Sequence, residues 1–323
     1  MSVTILMDNY TDMLLPSSST AVRPPILMNE TSFLFPIAEH GFSAIIEILY
    51  NDIDKKNRYL FDTGVSENGI IYNADLFGID FRTIEAIVLS HGHMDHCRGV
   101  VNALKRMFKP TDIIVHPDAF LKRWVVFPGR KKEKMPTLDE NELRNNRAIL
   151  HKIKDLSYLP LINDGNSFDN NNHHLLMITG QIPRETGFEK GLPPQYKEGE
   201  SNNKEKKLVP DPLVNDDQAV IANIKDKGLI IITGCGHAGI INTINYAKKI
   251  TGINKIYTVL GGFHLTGGTI FKEAIEPTIA GLQKADPKYI VPCHCTGWEG
   301  TNKIIDTMPE KFLQSSVGTT FNF

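Results

Sequence analysis

Cysteine is scarce in this chain: Cys97, Cys235, Cys293 and Cys295 are the only four among 323 residues. So few in so long a chain exclude a disulfide framework and point to a reducing cytoplasm. An excess of charge of either sign is missing too. The 35 Lys and Arg face 37 Asp and Glu, a formal net charge of −2, which excludes the basic field of a nucleic-acid binder. No apolar run reaches the ~18–20 residues of a membrane span. Met1 to Asp8 has neither the basic start nor the long apolar stretch of a signal peptide. Internal repeats and heptads are absent. The expectation is a protein that acts on a small molecule, away from nucleic acid and membrane, with its oligomeric state left open.

What is present suits a packed core, with 41% of residues hydrophobic. Short β-rich runs alternate with helical stretches, the pattern of a layered α/β or mixed-sheet fold. Strands are expected near Val3–Met7, Ala44–Leu49, Tyr59–Phe61, Ala86–Leu89, Ile113–Val115 and Leu175–Ile178. Further strands are expected over Ala219–Ile224, Leu229–Ile232, Lys255–Leu260 and Tyr289–Val291. Helices are expected over Arg98–Phe108, Asp118–Trp124, Ala238–Ile250 and Ile270–Lys284. Regularity fades across 125–172, and 183–217 reads as a long loop rich in Gly, Pro, Lys and Glu. Order resumes after each, so 1–323 reads as one domain with two irregular insertions.

The chemistry concentrates in Ala86-Ile87-Val88-Leu89-Ser90-His91-Gly92-His93-Met94-Asp95-His96. A buried strand runs into three imidazoles and a carboxylate within six positions. Gly92 is expected to let the backbone turn tightly between two ligands. His91 and His93, two apart, can point the same way from extended chain and share one metal. Asp95 and His96 diverge from one another and suit a second metal a few ångströms away.

Three further strands end the same way: Leu229–Ile232 leads to Cys235-Gly236-His237, Lys255–Leu260 to Phe263-His264, and Tyr289–Val291 to Cys293-His294-Cys295. Singly, a strand-end histidine caps backbone groups as readily as it binds anything. Together they converge where layered α/β folds gather ligands, at the carboxyl ends of strands. His264 reads as substrate-facing rather than ligating. Asp62, at the end of Tyr59-Leu60-Phe61, reads either as the group orienting a ligand histidine or as a turn aspartate bonding its own backbone. In extended chain both Cys293 and Cys295 would face away from His294. The cysteines therefore read as structural, with Cys235 the exception to watch. His173 and His174 read as a solvated loop, His116 and His151 receive no role, and Arg130–Lys134 reads as a solvated face.

His91-x-His93-x-Asp95-His96 after a hydrophobic strand resembles the signature of the metallo-β-lactamase superfamily. Asp8-Asn9-Tyr10-Thr11-Asp12, Glu39-His40-Gly41-Phe42-Ser43, Phe61-Asp62-Thr63-Gly64, Thr233-Gly234-Cys235-Gly236-His237-Ala238-Gly239-Ile240, Gly261-Gly262-Phe263-His264-Leu265 and Cys293-His294-Cys295-Thr296-Gly297 are similar to the branch that contains the dihydropterin–ribofuranosylaminobenzene phosphate synthase. The resemblance implies a four-layer αβ/βα sandwich with a binuclear metal site in a cleft at one edge of its two sheets. It implies His91 and His93 as ligands of a first metal, and Asp95, His96 and His294 as ligands of a second. Two departures stand out. No histidine occurs in Ile178-Thr179-Gly180-Gln181-Ile182-Pro183-Arg184, where the superfamily often has a ligand, and Cys235 stands at the usual bridging aspartate. His237 then supplies the missing imidazole.

Imidazole with carboxylate suits Zn²⁺, with Mn²⁺ and Fe²⁺ as alternatives, in one or two ions. The first expectation is a hydrolase that activates a water against a small phosphoester, thioester or lactone. In it Asp95 ligates and accepts a hydrogen bond from the nucleophile, His264 stabilises charge on the substrate, and Arg98 or Arg184 pairs an anion. The alternatives are a pterin-pathway synthase that joins an aromatic amine to a pterin pyrophosphate, and a metal-binding homologue without catalysis.

Overall fold

A computed structural model describes residues 1–50, 55–127, 129–161, 176–199 and 207–323. Two large sheets form its centre. The first has eight strands in the order Ala148–Lys152, Thr111–Val115, Ile84–Val88, Lys55–Phe61, Ser43–Tyr50, Ser2–Met7, Thr320–Asn322 and Ala21–Val22. The second has six, in the order Ser157–Leu159, Leu176–Ile178, Ala219–Ile224, Gly228–Thr233, Ile256–Gly261 and Tyr289–Pro292.

Alternation along each strand explains the layering. Ala86, Val88 and Ile114 of the first sheet meet Val220, Ile230, Ile232 and Leu260 of the second in a shared core. Their neighbours Ile87, Ile113 and Val115 point the other way, onto helices Gly69–Phe77 and Val100–Met107. On the far side Leu229, Ile231 and Val259 pack against Ile240–Thr251 and Thr269–Ala285. Helices therefore cover the outer face of each sheet, which is the four-layer αβ/βα sandwich expected. Among the described residues no helix is long and apolar enough to cross a membrane.

The expected helix over Asp118–Trp124 is not formed. Pro117–Phe120 makes one 3₁₀ turn, and Arg123–Val125 is a strand. That strand pairs with Glu133–Lys134 on one side and Gln195–Glu198 on the other, and Leu208–Pro210 completes a four-stranded sheet. Both stretches expected to be irregular thus hold order, together with helix Glu140–Asn145 and strand Ala148–Lys152. Non-local pairing decides this. The burial of Arg123 depends on partners almost a hundred residues away, and no local periodicity announces them. His173 and His174 lie outside the described residues.

Candidate metal centre

Both large sheets deliver side chains to one place, at the carboxyl ends of their strands. Lys55–Phe61 runs directly into Asp62, and Ile84–Val88 leads into Ser90, His91 and His93. The four-residue turn Met94–Cys97 carries Asp95 and His96. From the second sheet come Cys235 and His237 after Gly228–Thr233, His264 after Ile256–Gly261, and His294 after Tyr289–Pro292. Imidazole centroids lie 4.5 Å apart for His91 and His93, 4.4 Å for His91 and His96, and 4.8 Å for His91 and His237. His96 and His294 are 5.0 Å apart, and His237 and His264 are 4.2 Å apart. Asp62, His91, His93, Asp95, His96, His237, His264 and His294 are all in the cluster or directly against it.

His91, His93, His96 and His294 are each oriented through one nitrogen, leaving the other turned to the cluster. Asp62 Oδ2 accepts from His96 Nδ1 at 2.6 Å and from the Ser90 hydroxyl at 2.7 Å, and Oδ1 accepts from the Ser90 amide. Asp62 is therefore the group that orients a histidine, at a backbone φ of 58°. His91 Nδ1 lies 2.8 Å from Ser90 Oγ, and its Nε2 is buried without a hydrogen-bond partner. His294 Nδ1 is 2.9 Å from Asn9 Oδ1, while its Nε2 is 3.2 Å from Asp95 Oδ2. His96 Nε2 lies 3.2 Å from Cys235 Sγ and 3.7 Å from Asp95 Oδ2. His93 Nε2 is 2.6 Å from Gln195 Oε1, and its Nδ1 is 3.1 Å from His237 Nε2.

These are the arrangements a metal ion requires. Two nitrogens bound ~2.0–2.1 Å from one tetrahedral ion stand roughly 3.3 Å apart, and outer partners fix the tautomer of each ligand. Two groups of ligand atoms, each within 4.8 Å of one another, can hold a metal: Asp95, His96, Cys235 and His294, and His91, Cys235 and His237. His93 belongs to neither group, although its Nδ1 lies beside His237 Nε2 at 3.1 Å.

Electrostatics fits the same purpose. Burial pushes His93 down to about 4, with the Arg123 guanidinium adding to it. Burial, together with the neighbouring imidazoles, also drives His91 and His237 far below the ordinary histidine range, so these three are neutral. Burial opposes the charge on Asp95, but His96 and His294 outweigh it and hold the carboxyl well below its usual range. Burial likewise opposes protonation of His96, yet Asp62 and Asp95 raise it to about 9.

The support supplied by the four-stranded sheet leaves no local mark in the sequence. Gln195 Nε2 donates to Asp211 Oδ2 at 3.0 Å, and Asp211 also accepts from Arg123 Nε at 3.1 Å. Arg123 forks onto Asp216 at 2.9 and 2.5 Å, and Asp216 accepts the Gly92 amide at 2.8 Å. This buried chain runs from His93 back to the His91–His93 loop. Gly92 is needed for space rather than for an unusual turn, since a Cβ there would run into the Ala119 backbone. Asp8, which accepts the His294 amide at 2.8 Å, and Asn9 are visible in the sequence only through the resemblance. The same holds for His40, whose Nε2 is 3.8 Å from Asp95 Oδ2.

Other candidates are engaged elsewhere. Arg98 pairs with Glu67 at 3.1 Å, and Arg184 donates to the carbonyls of Ile182, Leu213 and Val214. His116 accepts the Asp118 amide, and His151 meets Asp112. Cys293 and Cys295 do not share a face. A 3₁₀ turn begins at His294 with φ 45°, so Cys293 packs into the core between the sheets while Cys295 turns towards Cys235.

A sandwich of this layering, with histidines and an aspartate gathered at its sheet edge, defines a class, and the family model described as the metallo-β-lactamase superfamily matches residues 41–248. The chain belongs to the metallo-β-lactamase superfamily. Within it, the chain is 31% identical over 292 residues to the 7,8-dihydropterin-6-methyl-4-(β-D-ribofuranosyl)-aminobenzene-5′-phosphate synthase of Methanocaldococcus jannaschii, covering 88% of this chain and 90% of that protein. It is 33% identical over 293 residues to an uncharacterized protein of the same organism, covering 91% and 97%. Among solved structures, Tm1679, a metal-dependent hydrolase of the β-lactamase superfamily, superposes with a TM-score of 0.69 at 22% identity, over 100% of this chain and 99% of that one. Zn²⁺-bound PqqB from Methylobacterium extorquens gives 0.51 at 11% identity over 100% of both chains. These two structures bear on the fold alone.

Proposed function

We propose that the chain is a metal-dependent synthase that joins a pterin to an aromatic amine, in line with the name of the Methanocaldococcus jannaschii relative. The observation that carries this reading is the 31% identity to that synthase across 88% of the chain. The hydrolase expected first from the sequence takes second place, because the relative that carries a function in its name is a synthase.

In the proposed reaction the amine nitrogen bonds to the methylene carbon on the pterin ring. The bond from that carbon to the diphosphate oxygen breaks, pyrophosphate leaves with the electron pair, and the amine loses one proton. His91 Nε2, His93 Nδ1 and His237 Nε2 would hold one cation, and Asp95, His96 and His294 a second, with Zn²⁺ best suited to the donors. Such cations would neutralise the diphosphate and ease its departure. Asp95, kept ionised and 18% exposed, accepts a hydrogen bond from the entering reactant. Asp62 and Asn9 keep His96 and His294 turned inward. A narrow cleft adjoins His237 and His264, and Phe188, Phe263 and Phe271 in its lining offer apolar rings to an aromatic reactant approaching there. Because Gln195 reaches His93 from the insertion at 183–217, we read the chain as one domain.

The test supplies the metal-loaded protein with a dihydropterin bearing a methyl diphosphate and with an aminobenzene ribofuranosyl phosphate. Chromatography should find the joined product and pyrophosphate in equal amounts. Cleavage of a phosphoester, thioester or lactone, with no joined product, would sink the synthase reading in favour of the hydrolase.

A further inference from the structure

One cluster beside the centre has a different donor chemistry. Cys235 Sγ, Cys295 Sγ and an imidazole nitrogen of His264 all lie within 4.8 Å of one another. Cys295 and His264 belong to neither group already described, and Cys235 is common to all three. Cys235 and Cys295 are buried, at 3% and 4% exposure. Both ring nitrogens of His264 are buried without a hydrogen-bond partner. An imidazole needs at least one partner in such a place, since an unsatisfied buried polar atom costs about 1–3 kcal/mol.

The local backbone is shaped around this cluster. His264 sits at φ 48°, a left-handed conformation that a non-glycine residue rarely adopts. That twist sets its ring between His237, tilted against it at 4.2 Å, and Phe271, edge-on at 4.7 Å. A Cβ on Gly262 would lie 2.6 Å from Cys295 Sγ, so the sulfur rests against bare backbone. The Cys295 thiol donates to the Cys235 carbonyl at 3.0 Å, which turns it towards its partner.

We infer that Cys235, Cys295 and His264 form a separate binding site for a thiophilic divalent cation, Zn²⁺ in the first instance. Two sulfurs and one imidazole make a soft donor set, which favours Zn²⁺ over Mg²⁺, Ca²⁺ or Mn²⁺. Binding releases one proton from each thiol and leaves no oxidation state changed. Through Cys235 the site touches the histidine–aspartate centre, while its other two donors stand outside that centre. Cation binding here is independent of which reaction the chain catalyses.

The test uses the full chain, stripped of metal and kept under a non-thiol reductant, titrated with Co²⁺ and in parallel with Zn²⁺. The expected result is a sulfur-to-cobalt charge-transfer band in the near ultraviolet, and uptake of one ion beyond those held by the centre. Cys295→Ser and His264→Ala should each remove that extra ion and, with it, the band. Cys293→Ser should change neither, since that thiol lies in the core between the sheets. His93→Ala should lower uptake at the centre while leaving the band, which separates failure of the centre from failure of this site. Should Cys295→Ser not fold, Cys295→Ala and His264→Asn carry the same measurement. A band and ion count unchanged in the Cys295 and His264 variants would overturn the inference.

Discussion

His93 Nδ1 stands 3.1 Å from His237 Nε2, although one residue hangs from the eight-stranded sheet and the other from the six-stranded sheet. Both rings are buried and neutral, so one lends an N–H and the other a lone pair to this hydrogen bond, and a bound cation would compete with it for both nitrogens. Gln195 fixes the tautomer by taking the other nitrogen of His93. His93→Ala is therefore expected to lower metal content and to cut turnover by a hundredfold or more, about 3 kcal/mol of barrier. Elemental analysis and rate measurement check this together; unchanged metal and rate would refute the assignment.

Gln195→Met keeps the bulk of the side chain but removes the acceptor from His93. The expected outcome is a folded protein whose metal affinity falls by about 10–100-fold, the usual effect of losing a group that orients a ligand. Competition with a chelator of known affinity measures it. An affinity equal to that of the parent would leave Gln195 as packing only.

Arg123 is 3% exposed and neutralises two buried carboxylates, Asp211 and Asp216. Arg123→Met strands Asp216 and leaves Asp211 with Lys197 as its one cationic partner, and the expected loss is about 3–5 kcal/mol of stability. Thermal or denaturant unfolding shows it as a lower midpoint. A midpoint within a degree or so of the parent would mean that water or another cation replaces the guanidinium.

Asp217 carries a pH signature of its own. Burial, only partly offset by Arg184, raises its carboxyl from the ordinary 3.8 to about 7. A carboxyl raised on folding destabilises the native state once the unfolded chain has ionised. Stability is thus lost as pH climbs from about 4 to about 7 and is level above that. Asp217→Asn keeps an oxygen to accept the Ala238 amide and removes the titration. Relative to the parent, the variant should gain stability between about pH 5 and about pH 8, by at most about 4 kcal/mol. Parallel unfolding curves for the two proteins across that range would count against a buried, titrating carboxyl.

The strands and the inner ligands are readable from the sequence because local pattern and burial agree. Ala86–Leu89 and Leu229–Ile232 are apolar on both faces, and each leads into glycine and histidine. The His91–His96 segment is legible for the same reason. The Arg123–Asp216 chain and the Gln195 contact are not, because residues such as Gln195 and Asp211 look like ordinary loop residues until distant pairing buries them. Extended chain past Pro292 would put Cys295 on the wrong face, and the turn at His294 is what brings it to Cys235. His264 stands out in the sequence as a strand-end residue, but its inward turn follows from φ 48°, which no sequence pattern displays.

Asp62, His91 and His96 belong to one half of the sandwich, and Cys235, His237 and His294 to the other. A cation held between them is a rivet across the seam where the halves meet. Stripping it would loosen that seam first, at the open edge of the layers, while each half kept its own helices packed against its sheet.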